Sequence, residues 1–311
     1  MPPSDQNKTI PPLTAHEKDL AADLKSDVFF LANEIGERNL HRPGTMEQTA
    51  SWIQGRLREM GYRPENHHYR IESGRYRGTE STNIIAEVKG KNSPDEIIII
   101  GAHYDSVIHS PGANDNASAV AALLALANWF EDKPQDRTIR FLFFANEEPP
   151  FFHTPEMGSY AYAKTVTEMD EHITSMIALD GLGYFSDEPK SQQYPVPGSG
   201  LMYPNQANFI GFVTKLSNRN LLNKTIKAFR AEASVSAEGA ALPGFIPGVY
   251  WSDHWSFWQH DIDALLVTDT LLFRDPHYHS ANDTPERLDY EMMARVTAGL
   301  KSVTKLLASE N

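Results

Sequence analysis

Cysteine is absent from the 311 residues. That excludes a disulfide scaffold, thiolate zinc sites and a cysteine nucleophile. Positive charge is scarce, with 28 Lys and Arg against 41 Asp and Glu and a formal net charge of -13. Nucleic acids and anionic membrane surfaces select for a basic face, so neither is expected as a partner. No apolar run approaches the roughly 18 residues of a membrane span. The opening Met1-Pro2-Pro3-Ser4-Asp5-Gln6 has no basic stretch leading into an apolar one. No leader is therefore read in the sequence as given, which leaves the cytoplasm, or the periplasm or exterior if a leader was trimmed. A Gly-x-Ser-x-Gly elbow and a phosphate-binding glycine loop are also missing. What is present, 41% hydrophobic residues with 10% aromatics, is enough for a globular core.

Residues 1–13 are polar and proline-rich and are expected to form a flexible arm, with 14–311 as one domain. Thr14-Ala15-His16-Glu17 has capping-box form. A second helix is expected from Thr45, with a stripe through Ile53 and Leu57 and an end at Gly61. After short β-like runs over 63–90, Ile97-Ile98-Ile99-Ile100 has the continuous apolar character of a strand buried on both faces. Ala117 to Phe130 is apolar nearly all round and predicts a buried helix. Strand and helix then alternate: strands over 138–145, 173–179, 209–214 and 264–268, helices over 158–169, 223–233 and 290–307. Such alternation implies an α/β sandwich with a mixed, mainly parallel sheet.

Chemistry concentrates where the apolar strands end. Ile97–Ile100 runs into Gly101-Ala102-His103-Tyr104-Asp105, Phe141–Phe144 into Ala145-Asn146-Glu147-Glu148, and Met176–Leu179 into Asp180. In open α/β sheets the functional crevice lies beyond the carboxyl ends of the strands, so imidazole and carboxylates arrive at one edge. With no thiolate available, that set suits zinc or a similar divalent ion. Asp105 can orient the His103 ring from behind. Gly112-Ala113-Asn114-Asp115-Asn116 places a further carboxylate before the buried helix, where it can bridge two ions. Asp275 to Thr284 adds Tyr278 and His279 on a turn. Two ions together activate water and polarise a carbonyl, and an unligated carboxylate serves as general base. The doublet Glu147-Glu148 can supply one ligand and one base. His67 and His68 read as surface residues, and His254 as either a site residue or packing beside Trp255 and Trp258.

These motifs together resemble the two-zinc aminopeptidases, whose relatives include glutamate carboxypeptidase-like peptidases and glutaminyl cyclases. The resemblance runs from about Asn83 to the C-terminus and implies a three-layer α/β/α sandwich, the zinc-peptidase fold. It implies two Zn²⁺ per chain, with His103 and Asp180 on one ion, Glu148 and His279 on the other, and Asp115 bridging. Glu147 would be the general base and acid, Asp105 would hold His103, and Tyr278 would donate to the oxyanion. A cis peptide between Asp115 and Asn116 is implied as well. The expected activity is hydrolysis of the first peptide bond of peptides with a free N-terminus. The alternatives are a cyclase-like acyltransferase, a carboxy-terminal exopeptidase on the same fold, or an inert binding module. Pro149 to Met157 departs from the family pattern as an insertion. With the long stretch Gly183 to Asn208 it is expected to border the substrate pocket through Phe151, Phe152, Tyr184 and Phe185.

Overall fold

The computed structural model describes residues 10–309, so most of the arm expected over 1–13 lies outside the described residues. Of its last residues, Pro11 accepts a hydrogen bond from Arg295 through its carbonyl (2.6 Å). Helix α1 (Ala15–Phe29) starts on the capping box of Thr14 and Glu17, both halves of which are made. A π-helical segment, Phe30–Ile35, continues it to Gly36, whose positive φ of 79° ends the helix. Helix α2 (Thr45–Glu59) buries Ile53 and Leu57 on one face.

Eight strands form one sheet: β1 (Glu65–Arg70), β2 (Glu80–Val88), β3 (Ser93–His103), β4 (Arg137–Phe144), β5 (His172–Leu179), β6 (Phe209–Lys215), β7 (Ser236–Leu242) and β8 (Ala264–Thr268), in the order β1-β2-β4-β3-β5-β8-β6-β7. Four of its seven pairings are parallel: β3 with β4, β3 with β5, β5 with β8, and β6 with β7. The other three are antiparallel. The adjacent run β4-β3-β5-β8 therefore points its carboxyl ends to one edge. The remaining α-helices are α3 (Ala119–Phe130), α4 (Gly158–Glu168), α5 (Arg219–Glu232), α6 (His254–Trp258) and α7 (Tyr290–Ala308).

Two apolar clusters, one on each face, bury the sheet in the middle layer. Ile98 and Ile100 point into the cluster with α1, α2, α3, α5 and α7, and Ile97 and Ile99 into the one with α4 and α6. Period-2 alternation on a strand with two covered faces leaves no polar position, which is why the run reads as four isoleucines. The expected elements are present within a few residues of their predicted bounds. Strand β7 and helix α6 were not predicted, and α5 begins four residues earlier than expected.

Candidate active site

His103 is the last residue of β3, at the centre of the parallel run. Its neighbours β4 and β5 end at Phe144 and Leu179, so Glu147 and Glu148 stand on one side and Asp180 on the other. Asp115 lies in the irregular turn that leads into α3, and its peptide to Asn116 is cis. All five expected metal-ligating residues meet in two triads, His103–Asp115–Asp180 and Asp115–Glu148–His279, each with candidate ligand atoms within 4.8 Å of one another.

Distances divide Asp115 between the triads. Its Oδ1 lies 3.3 Å from His103 Nε2, and its Oδ2 lies 3.1 Å from His279 Nε2. His103 Nε2 is also 3.4 Å from Asp180 Oδ1, and His279 Nε2 is 3.2 Å from Glu148 Oε2. Glu147 stays further out, 3.9 Å from His103 Nε2.

Asp105 does more than face the ring. Its Oδ1 is 3.3 Å from His103 Nδ1, and the carboxylate also accepts the backbone N–H groups of Glu147 (3.1 Å) and Glu148 (3.0 Å). One side chain thus ties the end of β3 to the turn after β4. The stacked rings of Tyr278 and His279 lie 3.7 Å apart, with Tyr278 on the cavity wall.

The electrostatics are those of a site crowded with negative charge. Burial pushes Glu148 up to about 7, and the charge of Asp115 adds to the shift. Burial raises Glu147 well above the usual carboxylate range, helped by repulsion from Glu148, Asp180 and Asp253 and opposed by His103. Burial alone would lower His279, but Asp115 and Glu148 lift it to about 11. Burial, reinforced by the surrounding carboxylates, keeps the Tyr278 phenol protonated far above its ordinary range. Both His103 nitrogens and Asp115 Oδ1, Glu148 Oε1 and Asp180 Oδ1 are buried without an aligned hydrogen bond. A buried polar atom left this way is costly unless a cation takes it as a ligand, so the residues fit divalent metal.

Beside the triads opens a cavity of about 370 Å³. Its apolar wall includes Val213, Leu242, Val249, Trp251, Leu266 and Phe273. Only Phe152 of the four aromatics expected there lines it. Phe151 packs instead with Ile71 and Met157, Phe185 joins the main core, and Tyr184 lies under Arg287. The stretch Gly183 to Asn208 contributes Pro195 alone. The wall comes mainly from 240–251 and 268–273, which the antiparallel pairing of β6 with β8 and the outer position of β7 bring to the site edge. His254 has the packing role: Nε2 bonds the Val249 carbonyl (2.8 Å) and the ring meets Trp258 edge-on. His67 is half-buried rather than on the surface, bonded to Thr165 and Asn83, whereas His68 is exposed.

Three supporting residues were not anticipated. Asp283 accepts the backbone N–H groups of Asn114 (2.7 Å) and Asp115 (3.1 Å), holding the turn to the segment that carries His279. Asn116 spans to β5, donating to the Leu179 carbonyl (3.0 Å) and accepting from the Gly181 N–H (3.1 Å). Asp253 is fully buried, and burial raises it to about 7.

The end of β3 and two turns bring two imidazoles and a shared carboxylate to one buried point beside an apolar cavity, a donor set that fits divalent metal. Residues 83–304 match the model of peptidase family M28, and the chain belongs to that family. It is 35% identical over 285 residues to the uncharacterized protein YfbL of Escherichia coli, covering 89% of this chain and 85% of that one. Over 70 residues it is 49% identical to aminopeptidase YwaD of Bacillus subtilis, a match spanning 22% of this chain and 15% of that protein. Its fold is similar to that of a solved zinc aminopeptidase from Bacillus subtilis, with a TM-score of 0.72 and 17% identity over 93% of this chain and 95% of the other.

Proposed function

We propose that this chain, acting as one domain over 14–311, is a zinc-dependent aminopeptidase that holds two zinc ions and removes the N-terminal residue of peptides. The observation that carries the reading is the division of Asp115, one carboxylate oxygen toward His103 and the other toward His279. His103 and Asp180 would complete one zinc site, Glu148 and His279 the other. Burial and mutual repulsion raise Glu147, Glu148 and Asp180, so cations among them would be stabilising, and the two triads that share Asp115 support a pair of them. The names of relatives in the family support zinc and the amino-terminal position of cleavage.

Zinc, when bound, lowers the pKa of water to about 7 and polarises a carbonyl. Glu147 stands apart from both triads and has a raised proton affinity, so it takes the proton of the attacking water and returns it to the departing amine. Tyr278, kept protonated, donates its O–H to the oxyanion as the carbonyl becomes tetrahedral. Asp105 holds His103 and the Glu147-Glu148 turn in register, so base and ligands keep a common geometry. The apolar cavity takes the leading side chain and excludes water from around it. A cyclase would not need the full ligand set retained here.

A panel of aminoacyl arylamides, each with free and acetylated amine, tests this reading. Leucyl and phenylalanyl substrates with a free amine should be cleaved faster than glutamyl ones, and the acetylated forms should stay intact. Equal turnover of free and acetylated forms would contradict an aminopeptidase.

A further inference from the structure

One side chain reaches the site from the N-terminal segment, outside the family-matched region 83–304. Arg38 is 0% exposed, and Asp283, Asp105, Asp115 and Glu148 act on its guanidinium through their charge without a direct ion pair among the described residues. It is surrounded by carbonyls instead. Nε donates to Tyr104 O (2.9 Å), and Nη2 donates to Gly112 O (2.8 Å). Nη1 faces Pro111 O (2.6 Å), Gly36 O (3.0 Å) and Leu31 O (3.1 Å).

Two of these segments carry the candidate ligands. Tyr104 follows His103 directly, and Gly112 precedes Asp115 by three residues. The backbone of Arg38 adds a second tie. Its N–H donates to Ser106 Oγ (3.0 Å), its carbonyl accepts from Ser106 N–H (2.7 Å), and Ser106 Oγ donates to Ser110 O (3.0 Å). The junction has no slack: a Cβ on Gly112 would sit 2.4 Å from Ser106 Cβ and 2.8 Å from Arg38 Nη2.

Carbonyl dipoles aimed at one buried point repel each other unless a cation with several directed donors stands between them. A guanidinium presents five N–H groups in a rigid fork, whereas an ammonium is a point charge with three. Asp283 holds the Asp115 turn from the side of His279, and Arg38 holds it from the side of His103.

We propose that Arg38 is a positioning residue for the metal pair, its guanidinium fixing the spacing of His103 and Asp115 by clamping the Tyr104, Pro111 and Gly112 carbonyls. This rests on the two-zinc reading of the site. Arg38→Lys keeps the charge and loses the fork. The test measures zinc affinity of the full chain by competition with a chromophoric chelator, alongside thermal stability, kcat and KM.

At a temperature where both proteins are fully folded, Arg38→Lys should bind zinc more weakly, by about 10-fold, the low end of what losing a group bonded directly to a ligand costs. Its kcat should fall and recover in part with excess zinc, while KM changes little. A lower Tm with wild-type zinc affinity and wild-type kcat would overturn the proposal and leave Arg38 a packing residue. If Arg38→Lys does not fold, Arg38→Gln decides. Its amide keeps two N–H donors for the Tyr104 and Gly112 carbonyls but loses the fork and the charge, so it should also bind zinc more weakly, whereas wild-type affinity would overturn the proposal. Wild-type protein that takes up no zinc would overturn the site reading itself, a result distinct from equal binding by wild type and variants.

Discussion

Glu147→Gln should yield a folded protein that keeps its zinc and its affinity for peptides and has almost no turnover. The amide has the size and shape of the acid, so the neighbouring turn, held by Asp105 through the N–H groups of Glu147 and Glu148, is undisturbed. What the amide lacks is the ability to accept a proton. Loss of a general acid–base group costs about 10²–10⁴-fold in rate, and the proposed mechanism assigns both proton transfers to Glu147. Glu148→Gln is the informative contrast, because its carboxylate faces His279 at 3.2 Å. Activity lost there should return in part with added zinc, whereas that of Glu147→Gln should not. Steady-state kinetics with zinc quantified in the same samples separates the two. Should Glu147→Gln lose metal and Glu148→Gln retain it, the two roles are reversed.

Asp115→Asn should have the second large effect, and it strikes both triads together. An amide has one acceptor oxygen, and its NH₂ group is a donor. Whichever way it turns, one of the two imidazoles meets that NH₂, and the negative charge between them is gone. Zinc content should fall from two per chain to one or none, and the loss of affinity should exceed the 10–100-fold typical of outer-shell partners. Activity should fall with it and resist rescue at moderate zinc, since a ligand common to both ions has no substitute. Metal analysis after gel filtration checks this, and two retained zinc ions would show that Asp115 bridges nothing.

The candidate ligands were legible because the fold brings several of them to strand ends. Ile97 to Ile100 marks a strand buried on both faces, and the polar residues directly after such a strand fall at the sheet edge. His103, Glu147, Glu148 and Asp180 were found in this way, from a pattern of period and position. The substrate cavity was less legible. Strand β7, Ser-Ala-Glu-Gly-Ala-Ala-Leu, has small residues and no clear alternation, so nothing marked it as sheet. Without β7 and the antiparallel turn of β6 against β8, the wall from Leu242 to Phe273 has no place near the site. The aromatics after Glu148 were closer in sequence, but three of the four expected aromatics are spent on packing elsewhere.

Arg38 illustrates a different limit. In a helix-rich, charged segment an arginine reads as solvated surface, and the carbonyls of Tyr104, Pro111 and Gly112, which join those of Leu31 and Gly36 around it, explain its burial. The first three belong to segments more than 60 residues away, and backbone acceptors carry no sequence signal. Asp105 falls between the two cases. Its place beside His103 was evident from the spacing, and its grip on the Glu147-Glu148 turn was not, because that contact depends on β3 and β4 ending side by side.

The most direct test of the account is a zinc titration of metal-free protein, with bound zinc and hydrolysis of a free-amino leucyl arylamide followed in the same samples. Metal-free protein should be inactive. Zinc should bind to a limit of two per chain, activity should rise with occupancy, and a chelator should reverse it. Full turnover by verified metal-free protein, or saturation at a single zinc with full activity, would contradict a two-zinc aminopeptidase.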